Sequence, residues 1–236
     1  MSVGDQLHTQ NANWNFKGPV ADHFEAHVSR SVPFYAVAHD LVAQLSDYFI
    51  KADSRVYDLG CSTGTLLALL AHRHAVKPDI RLIGLDAEPD MIARAATKAQ
   101  ADDRLEFQVA DLVHTPLDPT DLITALYTLQ FIPPASRQRV MDGIYASLNW
   151  GGALIHFEKV RGPDARFQDI LTGLYTEFKL EAGYTASEIM EKSRSLKGVL
   201  EPFSTQGNLD LLHRAGFRDV MTVFKYGCFE GFLAIK

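Results

Sequence analysis

The sequence predicts an α/β fold, a mostly parallel β-sheet with helices on both faces. From Arg55 to Lys159, short apolar runs alternate with segments of helical spacing. This alternation is typical of parallel strands joined by crossover helices. A glycine-containing turn separates the first apolar run from the helix that follows it. The chain ends in two adjacent runs, "DVMTVFKYG" and "CFEGFLAIK", which predict a closing hairpin at the sheet edge, antiparallel at least in part.

The central elements can be assigned in order along the chain. Five strands are predicted at "RVYDLG", "IRLIGLD", "LEFQVAD", "DLITALYTLQF" and "GALIHFEK". The intervening helices are "GTLLALLAHRHA", "PDMIARAATKAQ" and "PASRQRVMDGIYASLN". Pro89 suits the first turn of the second helix, and the third is predicted to end near a turn at "NWGG". A later helix, "NLDLLHRAGF", is predicted to end at Gly216.

The chain divides into two parts. Residues 1–18 are polar and aromatic and predict an irregular arm, and residues 19–50 predict helices interrupted near Pro33. We therefore assign residues 1–50 as an N-terminal arm and helices, and residues 51–236 as the α/β domain. Within that domain, helical signals replace strands after Lys159, which predicts a helical insertion over the sheet at about 160–205.

Composition restricts the functional classes. The chain has 236 residues and a formal net charge of −6, which suits one domain with a sizeable core and makes direct binding of nucleic acid unexpected. Two cysteines, Cys61 and Cys228, are too few for a disulfide framework or a metal quartet. The N-terminus lacks signal-peptide order, and the apolar runs are shorter than the ~20 residues that span a bilayer. We expect a cytoplasmic protein.

The turn in "VYDLGCSTG" has the features of a ligand site. Gly60 and Gly64 allow the backbone to approach a ligand closely, and the following helix offers free N–H donors. Asp58 ends the strand before the turn, and its carboxylate would repel a pyrophosphate but suit an ammonium or sulfonium group. The turn also lacks a full G-x-G-x-x-G pattern, so a nicotinamide dinucleotide fits poorly.

The next two strands also end in acids. Asp86, in "IGLDAEPDM", can accept both hydroxyls of a ribose. Asp111 can take an adenine amino group while Leu112 packs on the ring. Ligands of open α/β sheets bind outside the carboxyl ends of the strands, so these positions predict a nucleoside. S-adenosylmethionine has the ammonium and the sulfonium, and its amino-acid portion would lie along Gly60–Ser62.

The three motifs "VYDLGCSTG", "GLDAEPDM" and "ADL" resemble the successive motifs of class I S-adenosylmethionine-dependent methyltransferases, over roughly residues 50–160. The resemblance implies a Rossmann-like fold with a mostly parallel seven-stranded sheet and a helical cover. It also implies S-adenosylmethionine or S-adenosylhomocysteine as the ligand. Ala87 and Met91 of the second motif join the expected cofactor-side residues.

A narrower resemblance extends over nearly the whole chain. Six segments are similar to the carboxy-S-adenosylmethionine synthase family: "RSVPFY", "VYDLGCS", "TLQFIPPASRQ", "LNWGGALIHFEK", "EFKLEAGYTASEI" and "LLHRAGF". The resemblance implies a homodimer that makes carboxy-S-adenosylmethionine from S-adenosylmethionine and prephenate. That product serves a partner enzyme that modifies the tRNA wobble uridine.

The resemblance assigns roles to individual positions. Residues matching the family's cofactor contacts are Tyr35, Gly60, Cys61, Ser62, Asp86, Ala87, Asp111 and Leu112. Two positions depart from the family: Leu126 replaces a cofactor-contacting Asn, and Ser193 stands where an Arg meets the extra carboxylate. Arg194 lies one residue further on, about 100° around a helix.

The displaced arginine favours a relative that transfers a methyl group from ordinary S-adenosylmethionine to a small molecule. Carboxy-S-adenosylmethionine synthesis is the alternative, and a non-catalytic cofactor-binding partner is the third. Our substrate-pocket candidates are Tyr127, Tyr175 and Arg194. Further lid candidates are His156, Glu158, Lys179, Tyr184, Ser193 and Ser195. Tyr127 could instead be a core residue and Arg194 a solvated one. The "HRH" segment at 72–74 spreads its side chains around a helix, and no metal is expected.

Overall fold

The sheet has seven strands, in the order β3-β2-β1-β4-β5-β7-β6. The structure is a computed structural model that describes residues 11–16, 18–100 and 102–236. The strands are β1 Arg55–Leu59, β2 Arg81–Asp86, β3 Leu105–Val109, β4 Thr120–Leu126, β5 Leu148–Lys159, β6 Asp219–Tyr226 and β7 Phe229–Ile235. The first five pair in parallel, as the strand–helix alternation predicts.

Eight helices are assigned in the described part of the chain. They are α1 Pro19–Ser31, α2 Tyr35–Ser46, α3 Thr65–Arg73, α4 Pro89–Ala99, α5 Pro134–Ser147, α6 Ala165–Glu181, α7 Ala186–Ser195 and α8 Thr205–Ala215. The break between α1 and α2 falls at Pro33, because a proline lacks an N–H and restricts the residue before it. Thr185 and Glu188 form a capping box at the start of α7, which stabilises that end.

The closing hairpin lies at the sheet edge, as predicted. The edge strand is β6, and β7 lies between β5 and β6, antiparallel to both. The predicted turn at "NWGG" is wrong, because these residues belong to β5. The chain passes directly from α5 into the strand, and a register shift between Thr120 and Leu122 of β4 absorbs the irregularity.

Apolar side chains fill both faces of the sheet. On one face, α2 and α3 pack on the strands through residues such as Val42, Leu67 and Leu70. On the other face, α5 and α8 contribute Met141, Ile144 and Leu212. Each fully buried aliphatic side chain stabilises the fold by about 1.5–3 kcal/mol relative to an exposed one. The two cores hold the strands in register and therefore fix the positions of the residues at their carboxyl ends.

The helices α1, α6 and α7 meet above those carboxyl ends. Arg30 of α1 donates through Nε to the carbonyl of Ala182 at 3.1 Å, and Tyr175 of α6 donates through its hydroxyl to the Ser31 carbonyl at 2.8 Å. The described part of the arm, residues 11–16, is irregular and joins this cover, because Trp14 N–H donates to the Ser195 carbonyl at 3.1 Å. Residues 1–10 and 17 of the predicted arm lie outside the described residues. No helix in the described ranges is both long and apolar enough to cross a bilayer.

Candidate cofactor-binding site

A cavity of about 1240 Å³ lies between the carboxyl ends of the strands and the helical cover. Every cofactor-side position expected from the sequence lines it. These residues are Tyr35, Asp58, Gly60, Cys61, Ser62, Asp86, Ala87, Met91, Asp111, Leu112 and Leu126. Tyr127 and Tyr175 line it as well. The cavity exceeds the few hundred Å³ typical of pockets for small molecules, so it has room for a nucleoside and a second substrate.

The turn after β1 is held by the end of β2. Gly60 and Cys61 donate their N–H groups to the Leu85 carbonyl at 2.7 and 3.1 Å. Gly60 has φ +75°, and a Cβ there would lie 2.3 Å from Oγ1 of Thr128. Glycine is therefore required both by the left-handed backbone and by the close approach of the chain after β4.

Asp86 connects β2 to this turn. Its Oδ2 accepts from the Ser62 N–H at 2.9 Å, and its Oδ1 accepts from the Glu88 N–H at 2.9 Å. Burial raises the pKa of this carboxyl, while the backbone donors oppose that rise. A carboxylate oxygen has two lone pairs, so each oxygen can still accept a hydroxyl from a ligand in the cavity.

Asp58 is the most deeply buried acid of the cavity wall. It is 3% exposed, and Oδ1 accepts from the Thr124 hydroxyl at 2.7 Å. Burial raises the pKa of this carboxyl to about 7, with the Thr124 hydrogen bond opposing and the Asp86 charge adding to the rise. A cation bound in the cavity would reverse the shift, because an opposite charge favours the ionised form.

Asp111 lies at the rim of the cavity. Its side chain is 61% exposed and accepts from the Val113 N–H and from His114 Nδ1, both at 2.9 Å. These donors lower the pKa of the carboxyl, so it is ionised at neutral pH. Leu112 follows it on the cavity wall, in the order that the sequence predicts for an adenine contact.

Three tyrosines, Tyr35, Tyr127 and Tyr175, also line the cavity. Tyr127 has φ +60°, an uncommon conformation for a residue with a side chain. Its hydroxyl is buried without a hydrogen-bond partner in the part of the chain that the structure describes. Burial raises the pKa of Tyr35, Tyr127 and Tyr175, so all three hydroxyls remain protonated and can donate.

Two lysines lie against the third tyrosine. The ammonium of Lys159, at the end of β5, is 4.2 Å from the centre of the Tyr175 ring, and that of Lys179 on α6 is 4.5 Å from it. Both lysines line the cavity. Lys179 is among the lid residues expected from the sequence, but Lys159 is not. The position of Lys159 at the end of the fifth strand is the signal that could have revealed it.

The structure does not bring Arg194 into the cavity. Its side chain is exposed and lies outside the lining, whereas Ser193 is part of the lining. The one-residue displacement therefore turns the guanidinium away from the cavity, as the helix geometry anticipates.

Glu25 of α1 is a further residue that the sequence analysis misses. It accepts from the hydroxyls of Thr63 at 2.8 Å and Thr65, and from Lys98 Nζ at 3.1 Å. The Thr65 hydrogen bond is the largest influence holding the pKa of this carboxyl down, at about 2. Glu25 thus connects α1 to the glycine turn, a contact between distant segments that no local pattern signals.

The donor set fits S-adenosylmethionine and does not suggest a metal. Among the residues that the structure describes, no group of His, Cys, Asp and Glu could hold a metal ion. The acids Asp58 and Asp86 offer acceptors to an ammonium and to ribose hydroxyls. These groups face one cavity of sufficient volume, so the residues present suit a positively charged nucleoside.

Comparisons with known proteins show which families this chain is similar to. A family model described as a methyltransferase domain matches residues 56–152. The chain is 36% identical over 224 residues to a carboxy-S-adenosyl-L-methionine synthase of Staphylococcus epidermidis, covering 94% of this chain and 97% of the relative. It is 36% identical over 235 residues to a synthase of Campylobacter jejuni subsp. doylei, covering 98% and 99%.

Solved structures share the fold at low sequence identity. A phosphoethanolamine N-methyltransferase of Haemonchus contortus, in complex with S-adenosyl-L-methionine, superposes with a TM-score of 0.65 at 14% identity. Human N-acetylserotonin methyltransferase, also in complex with S-adenosylmethionine, gives 0.57 at 17% identity. The alignments cover 94% of this chain in both cases, and the chain spans 57% and 60% of those proteins.

Proposed function

Because the chain belongs to the carboxy-S-adenosyl-L-methionine synthase family, we propose that it makes carboxy-S-adenosylmethionine from S-adenosylmethionine and prephenate. The observation that carries this proposal is the extent of the similarity. It covers 94–98% of this chain and therefore includes the α6–α7 cover as well as the methyltransferase-type domain. The cover forms the part of the cavity away from the nucleoside acids, where a second substrate would lie.

Each group of residues has a distinct role in this proposal. S-adenosylmethionine supplies an activated carbon on a positively charged sulfur. Asp86 accepts the ribose hydroxyls, Asp111 and Leu112 contact the base, and ionised Asp58 balances the positive charge of the ligand. The protonated hydroxyls of Tyr35 and Tyr127 can donate hydrogen bonds into the cavity. The cover excludes water and orients the reactants, which is where most of the rate enhancement would arise.

Methyl transfer to a small molecule is the second candidate function. Ser193 favours it, because a serine lines the cavity where the synthase family has its carboxylate-binding arginine. A methyltransferase needs no extra carboxylate on sulfur and so no arginine at that position. A general base is optional for this reaction and depends on the acceptor.

We also propose a cytoplasmic homodimer that binds small molecules and does not contact tRNA directly. The net charge of −6 disfavours a phosphate backbone as a ligand.

The proposed dimer has a candidate surface on α6. Three apolar side chains of this helix, Phe167, Ile170 and Leu174, are 52%, 52% and 55% exposed, and their spacing puts them on one helix face. Such an apolar face suits burial against a second copy. The division into 1–50 and 51–236 remains part of this proposal.

Mass spectrometry of reaction products tests the activity. The purified protein is incubated with S-adenosylmethionine, with and without prephenate, beside an Asp86→Ala variant as the control. A nucleoside heavier than S-adenosylmethionine by one CO₂, formed only with prephenate and lost in the variant, is the expected result. Methyl transfer to an added acceptor without that product would support the second candidate. Binding of S-adenosylhomocysteine without turnover of any acceptor would leave a non-catalytic partner.

A further inference from the structure

Lys159 and Lys179 form a pair of cations in the cavity wall, and both ammonium groups lie close to the Tyr175 ring. Their ammonium groups lie 4.2 and 4.5 Å from the ring centre, and Lys179 is only 8% exposed. The ring is itself fixed, because its hydroxyl donates to the Ser31 carbonyl at 2.8 Å. The two charges are therefore held at a defined place and are not spread over a mobile surface.

This pair has no anionic partner in the described ranges. No ion pair or hydrogen bond joins either ammonium to a carboxylate there. By contrast, the ammonium of Lys225 forms an ion pair with the buried carboxylate of Glu230. Burial, and repulsion from Lys159, lower the pKa of Lys179. A protein that keeps two partly desolvated like charges together bears a cost, which a bound anion would offset.

The position of the pair separates it from the nucleoside acids. In the strand order, β2 with Asp86 and β5 with Lys159 stand three places apart. Neighbouring strands are ~4.8 Å apart, so the ends of β2 and β5 are on the order of 14 Å apart. Lys159 therefore lies on the far side of the glycine turn from the ribose acid, and Lys179 of α6 reaches the same place from the cover.

We propose that Lys159 and Lys179 bind a carboxylate of the organic-acid substrate and hold that substrate beside the bound nucleoside. The inference rests on the proposed function for the identity of the acid, which is prephenate, a molecule with two carboxylates. Because both ammonium groups lie close to the same Tyr175 ring, a carboxylate bound beside that ring would be attracted by both charges. Ammonium–carboxylate hydrogen bonds are among the strongest polar contacts in a protein.

Two binding measurements on the full chain test the pair. Lys179→Met and Lys159→Met keep the length of the aliphatic stem and remove the charge. Lys51→Met, an exposed lysine just before β1 at the opposite end of the sheet, is the matched control. Calorimetry first measures S-adenosylhomocysteine binding, which also shows that each variant is folded. Prephenate is then titrated into the protein–S-adenosylhomocysteine complex, and its KM is measured wherever turnover occurs.

The expected result is that each cavity variant weakens prephenate binding by about tenfold or more, the effect of losing one charged hydrogen bond. Its affinity for S-adenosylhomocysteine should stay within about twofold of the wild type, a difference well below one such bond. Lys51→Met should change neither. The inference is overturned if prephenate does not bind the wild-type complex, or binds the variants equally well. It is also overturned if S-adenosylhomocysteine binding falls in parallel, because the lysines would then hold the amino-acid carboxylate of the nucleoside.

Failure of the lysine site and failure of the synthase activity give different experimental results. Prephenate binding that depends on the lysines, without a carboxylated product, would refute the synthase activity and support the carboxylate site at Lys159 and Lys179. A carboxylated product formed with an unchanged prephenate KM in both lysine variants would support the synthase activity and refute that carboxylate site.

Discussion

The carboxylate of Asp86 accepts a hydrogen bond from the Ser62 N–H at 2.9 Å. The end of β2 and the turn after β1 are thus one unit, although the two residues are far apart in sequence. The same carboxylate binds the Glu88 N–H at 2.9 Å, so it also orders the start of α4. A ligand that touches Asp86 therefore contacts a prearranged group that needs little further ordering.

Replacing Asp86 should weaken nucleoside binding. We expect Asp86→Asn to lower S-adenosylhomocysteine affinity by about 10- to 100-fold. The reason is that an NH₂ donor replaces one accepting carboxylate oxygen, and the hydrogen bonds to a charged group are lost. Calorimetry measures this directly. Asp79→Asn, at an exposed position before β2, is the control and should leave affinity unchanged. Equal S-adenosylhomocysteine affinity for the Asp86 and Asp79 variants would mean that Asp86 does not contact the nucleoside.

The Asp58 carboxyl should make S-adenosylmethionine binding depend on pH. Its pKa is raised to about 7, chiefly by burial, so the group is protonated below that value and ionised above it. A cationic ligand prefers the ionised form, and affinity should therefore rise between pH 6 and pH 8. Calorimetry at several pH values checks the slope. In Asp58→Asn the rise should disappear; if it persists, another group is responsible.

The second substrate should show the opposite pH trend. Burial lowers the pKa of Lys179 to about 8, so its ammonium is charged below that value and neutral above it. Prephenate KM should therefore increase as the pH rises through about 8. Lys179→Met should have a high KM at every pH and should lack this inflection. A flat profile for the wild type would contradict the assignment of Lys179.

Two glycines offer a test of the packing behind the turn. Gly60 and Gly151 have nearly the same φ, +75° and +78°, but a Cβ meets Thr128 only at Gly60. An alanine in the left-handed region costs about 1–2 kcal/mol. Gly151→Ala should lose about that much, and Gly60→Ala should lose more. Denaturant unfolding of both variants measures the difference, and equal losses would mean that Thr128 moves freely.

The apolar face of α6 gives a test of assembly. Ile170→Asp puts a charge in the middle of the exposed stripe, so if the proposed dimer forms through this face, the variant should sediment as a monomer and the wild type as a dimer. Asp169→Asn, one residue away around the helix, should leave the dimer intact. A monomeric wild type would contradict the proposed dimer, and a dimer unaffected by the new charge would place its interface on another surface.

The fold and the cofactor side of the site were predictable because their signals are local. Strand–helix alternation predicts the parallel sheet, and Asp58, Asp86 and Asp111 each end a strand. Since carboxyl ends of parallel strands meet at one edge, sequence order alone predicts that these residues share a crevice. The misassigned "NWGG" segment shows the limit of this reasoning, because turn-forming residues can also occupy a register shift within a strand.

The substrate side was harder to predict because it depends on contacts between distant segments. Lys159 and Lys179 meet at Tyr175 only after α6 folds back over the sheet. Arg194 was a candidate because it lies one residue beyond the position of the resembled family's arginine, but its side chain is exposed and lies outside the cavity. Glu25 contacts Thr63, which lies 38 residues further along the chain. Tyr175 and Lys179 have the i, i+4 spacing of one helix face, but the contacts of Lys159 and Glu25 join separate segments and leave no periodic pattern.

A crystal structure of the protein with S-adenosylhomocysteine and prephenate would test the central claim most directly. The account predicts ribose hydroxyls on Asp86, the amino-acid portion along the turn from Gly60, and a prephenate carboxylate between Lys159 and Lys179. A nucleoside bound elsewhere, or with its ribose turned away from Asp86, would contradict it.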